Sequence, residues 1–478
     1  MNGWRLGRQS APSWRTNPVG AAISVRLVVT TVFRIAAIAI SLGAAADSAA
    51  VAAERNTHPQ IVVLSAHWSP ASPFRIRAKG LPRSSLATLV LETHDANGNL
   101  WRSRGVWRAG QEGSIDPAAS APIEGTYSTK DPDGLIWSMR QETGTPALYK
   151  PPEGDRIPFN LSVTVNGSAV ATRTIWRYRA PNGVSRKLLT GPVVGTVFEP
   201  ADGRKHAAVL LIGGSGGGHP LDDEAAALAG SGYVTLSMAY YNAPGLPDNL
   251  VQIPVETALD AVNWLRSLPS VDARRIAVIG HSRGSELAQL VAANDPDVSA
   301  VVLLAGSPVG WPGLDPNHLG SDGPAWTLGG SPVPVLASGK CHGDAFRAKR
   351  PPIAGFQCAL ADEERANAAM LPIDRIHGPM LWLSGDDDQV WPSNDLAKRA
   401  MAWRSKRGTR ADQWVHFPDA GHWFFVDDGP LDHLTTLTLP GRTVAFGGTL
   451  EGDAAAAPRT WAVVRKFLHQ AFETGNAH

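Results

Sequence analysis

In the pentapeptide Gly280-His281-Ser282-Arg283-Gly284 a serine stands between an apolar run, Arg275 to Ile279, and a helix-period run, Ser285 to Ala293. Strand, sharp turn and helix in that order lift one side chain to the apex of the turn. Such a turn needs small residues two before and two after the serine, because it presses backbone and side chains together. A hydroxyl presented in this way is a nucleophile for acyl transfer once a base takes its proton. G-x-S-x-G is a short pattern in a chain with 48 glycines among 478 residues. Its weight comes from its place between a buried-type strand and a helix.

The nucleophile calls for an acid and then a histidine further along the chain, in the order Ser, Asp/Glu, His. The strand-like Pro379 to Ser384 runs into Gly385-Asp386-Asp387-Asp388. A G-x-x-D loop at the end of a strand turns its last carboxylate back over the sheet, which selects Asp388 with Asp387 in reserve; the rival reading is an acidic loop facing solvent or a cation. The base candidate is His422, in Pro418-Asp419-Ala420-Gly421-His422. A loop histidine can bring its ring between a carboxylate and a hydroxyl more easily than a strand histidine such as His416.

Upstream, the continuous apolar run Ala207 to Ile212 reads as a strand buried on both faces, and it empties into Gly213-Gly214-Ser215-Gly216-Gly217-Gly218-His219. A phosphate cradle would want a P-loop lysine or an acidic ribose ligand, and neither follows. Glycines that let backbone N–H groups approach a tetrahedral intermediate fit better. The expected oxyanion donors are the N–H groups of Ser215 and Arg283.

These pieces need a mostly parallel sheet. From Val193 onward strands alternate with helical runs such as Pro254 to Leu265, the α/β pattern. Between about Ile61 and Tyr178 the texture is instead short strands and turns, with Asn166-Gly167 between two strand-like runs as a hairpin signal. The expected fold is therefore an antiparallel β-sandwich over 58–182, then an α/β-hydrolase domain over 190–478 with an insertion at about 308–372 that caps the site. Residues 1–53 read as a leader: basic residues, the apolar stretch Ile35 to Gly43, then a small-residue cleavage zone with Ala50-Val51-Ala52. Export to the periplasm or medium is expected, without stable membrane insertion once the leader is cleaved. An uncleaved anchor is the alternative, interrupted by Arg34.

Forty-four basic against 43 acidic side chains leave a net charge of +1, which excludes a basic field for nucleic acid. No cofactor is expected. Cys341 and Cys358 are the only cysteines. In an exported chain such a pair reads as a disulfide within the insertion. A metal or second nucleophile at Cys341, His342 and Asp344 is the rival, without CxxC or HExxH spacing to support it.

The glycine loop, the segment Tyr240-Tyr241-Asn242, the S-R-G-S-E-L elbow, Gly385 to Trp391 and Ala420-Gly421-His422-Trp423 together resemble the acyl-CoA thioester hydrolase and bile acid-CoA:amino acid N-acyltransferase family. Phe74 to Pro82 and Asp133 to Met139 resemble its N-terminal β-domain. The resemblance implies nucleophile, acid and base at Ser282, Asp388 and His422, with Gly214, Gly216, Tyr240 and Tyr241 at the substrate. Family members that conjugate amino acids typically carry cysteine as nucleophile, so serine here points to hydrolysis of an acyl thioester. A periplasmic carboxylesterase and an acyltransferase to an amine or alcohol are the alternatives, and a small-molecule acyl thioester or ester is the expected partner.

Overall fold

The computed structural model describes residues 58–474 apart from 66, 71, 316–321, 407–410, 427–428 and 440–441; the expected leader lies outside the described residues. The chain opens with β1 (Gln60–Val63), β2 (Ile76–Lys79), β3 (Leu86–His94), β4 (Leu100–Arg108) and β5 (Glu124–Gly125). A short helix α1 (Gly134–Trp137) follows, then β6 (Arg140–Gln141), β7 (Arg156–Val165) and β8 (Ser168–Tyr178). The last six strands make one antiparallel sheet in the order β5-β4-β3-β7-β8, with β6 beside β4, while β1 and β2 pair as a ribbon. Period-2 alternation sets which face is buried: Ala87, Leu89 and Leu91 of β3 turn inward with Trp101 and Trp107 of β4 and Phe159 and Leu161 of β7. Ile61, Ile76 and Ala78 of the ribbon share that core, so the expected sandwich is one large sheet and a narrow partner. Asn166 and Gly167 both take positive φ, 51° and 78°, as a two-residue hairpin between β7 and β8 demands.

The second part begins with β9 (Val184–Thr190) and β10 (Val194–Pro200), followed by β11 (His206–Ile212), α2 (Asp222–Gly230) and β12 (Val234–Ala239). Next come β13 (Ile253–Pro254), α3 (Glu256–Ser267), β14 (Val271–His281), α4 (Arg283–Asn294) and β15 (Val298–Leu304). Beyond β15 lie β16 (Trp326–Leu328), β17 (Ser331–Pro332), α5 (Gly339–Arg347), α6 (Ile353–Leu360) and α7 (Glu363–Ala368). The chain then runs through β18 (Met380–Gly385), α8 (Ser393–Ser405), β19 (Gln413–Phe417), the pair β20 (Thr436–Leu439) and β21 (Arg442–Ala445), and α9 (Leu450–Thr474).

Eight strands form the main sheet in the order β19-β18-β15-β14-β11-β12-β10-β9. The six from β19 to β12 are parallel, and β10 and β9 add antiparallel at one edge. Strand β9 begins at Val184, in the interval expected to separate the domains, and belongs to this sheet. The apolar run of β11 is buried throughout because both faces are covered. Ala208, Leu210 and Ile212 meet α3 and α4 on one face; Ala207, Val209 and Leu211 meet α2 and α9 on the other. The strand order reverses at β11, with β12 on one side and β14 on the other. A cleft opens beyond the carboxyl ends of the strands at such a reversal, and ligands bind there.

Candidate active site

Four strand ends converge on that cleft. Ser282 follows β14 directly and holds φ 51°, ψ −122°, a region costly for any residue with a side chain. The glycines around it are forced by close approach. A Cβ on Gly280 would stand 2.4 Å from Gly284 O, and one on Gly284 would stand 2.3 Å from Gly213 O. Backbone N–H of Ser282 donates to Leu304 O at 2.9 Å, which fastens the elbow to the end of β15. Arg283 opens α4, so its own N–H has no carbonyl one turn back to bond.

The three aspartates after β18 are sorted by their partners. Asp386 pairs with His416 Nδ1 at 2.8 Å and accepts from Asn394 Nδ2 at 2.7 Å. Asp387 accepts from Gly448 N at 2.9 Å and Gln389 Nε2 at 2.6 Å. Asp388 is buried; its Oδ1 accepts from Val390 N at 2.9 Å and its Oδ2 lies 2.9 Å from His422 Nδ1. His422 is 3% exposed, and its ring lies 5.0 Å, centroid to centroid, from that of His281, the residue before Ser282. With Nδ1–H given to the carboxylate, Nε2 is the nitrogen left to take a proton. His416 sits on β19, paired with Asp386 and half exposed, away from this arrangement.

The glycine loop lies against the elbow: a Cβ on Gly214 would stand 3.0 Å from Ser282 Cβ. Ser215 and Gly216 are exposed on its outer turn. Tyr240, expected to meet the substrate, is 1% exposed and donates its hydroxyl to Gly213 O at 2.9 Å and Gly214 O at 3.1 Å. Tyr241 packs on Tyr240 at 5.1 Å and crowds Gly217; burial pushes its phenol up to about 12.

Several groups carried no sequence signal. The Arg283 side chain is buried, with Nε on Glu286 Oε1 at 2.5 Å and its two Nη atoms on Pro312 O and Trp311 O, both at 2.9 Å. Glu286 Oε2 accepts from Trp311 N at 3.2 Å and Trp326 Nε1 at 2.9 Å. Burial raises the Glu286 carboxyl against the opposing pull of Arg283. An ion pair one residue past the nucleophile thus fastens the 308–372 insertion to α4. That insertion closes on itself through Leu371 N to Pro308 O at 2.8 Å and carries the bonded pair Cys341–Cys358 between α5 and α6. Asp344 pairs with Arg347 and Lys340. Phe356 of α6 packs on Trp311, His342 and Trp391, and Trp391 lies edge-on to His422 at 6.0 Å. His281 is buried among His422, Trp423 and Phe425, and burial with the neighbouring His422 holds its imidazole far below the usual value, so it stays neutral. Asp453 of α9 accepts from Gly421 N at 2.8 Å, and burial, reinforced by Asp388 and Asp387, raises its carboxyl to about 7.

A doubly covered parallel sheet with a serine elbow, a glycine loop beside it and an aspartate–histidine pair opposite defines an α/β-hydrolase-type protein. Residues 71–190 match the family described as the acyl-CoA thioester hydrolase/BAAT N-terminal region, and residues 253–474 match the BAAT/acyl-CoA thioester hydrolase C-terminal family. The chain belongs to the acyl-CoA thioester hydrolase/BAAT family. Acyl-coenzyme A thioesterase 1 of Homo sapiens is 27% identical over 404 residues, 83% of this chain and 93% of that protein. Acyl-coenzyme A amino acid N-acyltransferase 1 of Mus musculus is 26% identical over 410 residues, 83% and 94% of the two chains. Among solved structures, a thermophilic esterase from Thermogutta terrifontis matches 60% of this chain and 94% of its own, with 18% identity and a TM-score of 0.35.

Proposed function

We propose that this protein hydrolyses acyl thioesters, of which acyl-CoA is the family's type, through an acyl-serine intermediate. The observation that carries the reading is the 2.9 Å contact of Asp388 with His422, buried beside an elbow that presents Ser282. Ser282 Oγ attacks the carbonyl carbon as His422 Nε2 takes its proton. The oxyanion settles between the N–H groups of Ser215 and Arg283. Collapse expels the thiolate, which leaves as the thiol with the proton from His422. Water, deprotonated by the same nitrogen, then attacks the acyl-serine ester and releases the carboxylic acid. Asp388 keeps the imidazole in the required tautomer throughout.

Both hydrolases and an N-acyltransferase stand among the relatives, so the acceptor is the open variable. A serine ester is less activated toward amines than a cysteine thioester, which favours water. A carboxylesterase acting on oxygen esters is the second reading: export would remove the protein from cytosolic CoA esters. Export itself is supported by the bonded Cys341–Cys358, since such bonds persist in oxidising compartments.

The test uses a fluorophosphonate probe and a panel of long-chain acyl-CoA, p-nitrophenyl ester and acyl-CoA with glycine or taurine. The probe should label Ser282, and Ser282→Ala should lose about 10³-fold or more of turnover. Free acid from acyl-CoA should dominate. Labelling that survives Ser282→Ala would end the reading. Predominant amide would move the protein to the transferase side of its family, and ester-only turnover would select the carboxylesterase.

A further inference from the structure

The segment that follows β12 grips the glycine loop on its carbonyl side. Tyr240 donates to Gly213 O and Gly214 O. Asn242 Nδ2 donates to Gly216 O at 2.9 Å, and Tyr241 O accepts from Gly218 N at 2.9 Å. Asn242 is itself fixed in a left-handed conformation, φ 51°, with its N–H on Pro247 O at 2.7 Å. A peptide unit is planar and trans, so its C=O and the following N–H point in opposite directions. Holding Gly213 O therefore aims Gly214 N–H, and holding Gly214 O aims Ser215 N–H. Glycine supplies no side chain to restrict rotation of these peptide planes, and the loop's outer turn is exposed. Within the loop Gly214 O accepts only a long bond from Gly217 N, at 3.4 Å, and the shorter bonds to the Gly213 and Gly214 carbonyls come from Tyr240 outside it.

We propose that Tyr240 is a positioning residue for the reaction: its hydroxyl fixes the Gly213 and Gly214 peptide planes so that Ser215 N–H is aimed for the oxyanion before substrate arrives, with Asn242 steadying the loop one residue further on. This rests on the serine-hydrolase reading above. Burial keeps the phenol well above its ordinary value, so at neutral pH the hydroxyl keeps its proton. Its ring is wedged against Tyr241 at 5.1 Å and Trp326 at 5.6 Å, which holds the hydroxyl in place. Trp326 in turn donates to Glu286, so the residue aiming one oxyanion donor and the helix supplying the other share a wall. A donor aimed in advance stabilises charge that develops only in the transition state. The signature is therefore in kcat.

Tyr240→Phe keeps the ring and removes only the hydroxyl. Active sites are counted by fluorophosphonate titration, so that only folded enzyme enters the rate. Expected for a long-chain acyl-CoA is a fall in kcat of about 10- to 100-fold, with KM changed by less than about two-fold. Affinity for an alkyl trifluoromethyl ketone, which Ser282 converts to an oxyanion-bearing adduct, should fall by the same factor as kcat/KM. Asn242→Ala should lower the same two quantities by less. A purely packing role for Tyr240 would lower the melting temperature and leave both per-site quantities unchanged, and that result overturns the proposal. A raised KM with kcat intact would overturn it too, and would return Tyr240 to the substrate. If the probe labels Ser282 while Tyr240→Phe behaves as the unmodified enzyme, the proposal alone falls; absence of labelling at Ser282 removes the hydrolase reading and the proposal with it.

Discussion

Asp386, Asp387 and Asp388 are consecutive, yet each carboxylate faces a different neighbour: His416 and Asn394, Gly448 N, and His422. Asp388→Asn removes the acceptor that fixes the His422 tautomer, and kcat should fall about 10³-fold or more. Asp386→Asn alters a half-exposed pair with His416 of β19 and should stay within about ten-fold of the unmodified enzyme. Steady-state kinetics of the two variants at one pH decides the matter. Loss of activity in Asp387→Asn alone would shift the acid by one residue. The elbow at Ser282 and the meeting of Asp388 with His422 could be anticipated because each residue follows a strand end marked by its own loop glycines. The buried environment was not. Asp453 sits in Leu450-Glu451-Gly452-Asp453-Ala454, a stretch that reads as a solvated first helical turn, and only folding places it under Gly421. His281 looks like a polar elbow residue and is instead an aromatic filler.

Elements with a sustained pattern could be read from their own residues, such as β11 from its apolar run and the β7–β8 hairpin from Asn166-Gly167. The strands β13, β16 and β17 could not, since two or three residues carry no period and the pairing is set by the insertion folding back on Ile253. Helix α4 shows the same limit. Ser285, Glu286 and Gln289 would be assigned to water by type, but they are buried beneath the insertion, where Gln289 Nε2 donates to Ser307 O at 2.7 Å. Within that insertion α5 and α6 bury little apolar side chain of their own and are cross-linked across 17 residues of sequence. Closing a loop of that length stabilises the folded state by ~3 kcal/mol. The Cys341→Ala/Cys358→Ala variant should show a lower urea midpoint for the unfolding transition followed by intrinsic tryptophan fluorescence. Reductant should lower the midpoint of the unmodified protein toward that of the variant and leave the variant unmoved. Equal midpoints for all four samples would mean that the cross-link does not stabilise the insertion.

Ser282, Asp388, His422 and the glycine loop all lie outside the N-terminal sheet, yet the core of that sheet is incomplete without the other half of the chain. Leu431, Leu434 and Leu450 belong to the same buried cluster as the tryptophans of β4, and Trp423 and Val426 lie against it. The docking is also polar: Asp432 accepts from Arg140 Nη1 at 3.2 Å and Gln141 N at 3.0 Å, and Leu431 N donates to Trp137 O at 3.1 Å. From there the chain returns through Phe446, whose N–H donates to Thr435 O at 2.8 Å. Its carbonyl accepts from both His422 N at 3.1 Å and Gln389 N at 3.2 Å. One carbonyl thus joins the histidine loop to the aspartate loop, and the segment presenting it is anchored on the N-terminal sheet. Asp432→Ala leaves Gln141 N without its acceptor in a half-buried place, at a cost of about 1–3 kcal/mol. The melting temperature should drop, and kcat measured well below it should fall several-fold with KM little changed, because His422 and Asp388 lose a shared tether rather than a substrate contact. A thermal melt and a kinetic assay on the same preparation check both. If stability falls and kcat does not, the sheet supports the fold alone, and the path from Asp432 to His422 carries no positioning.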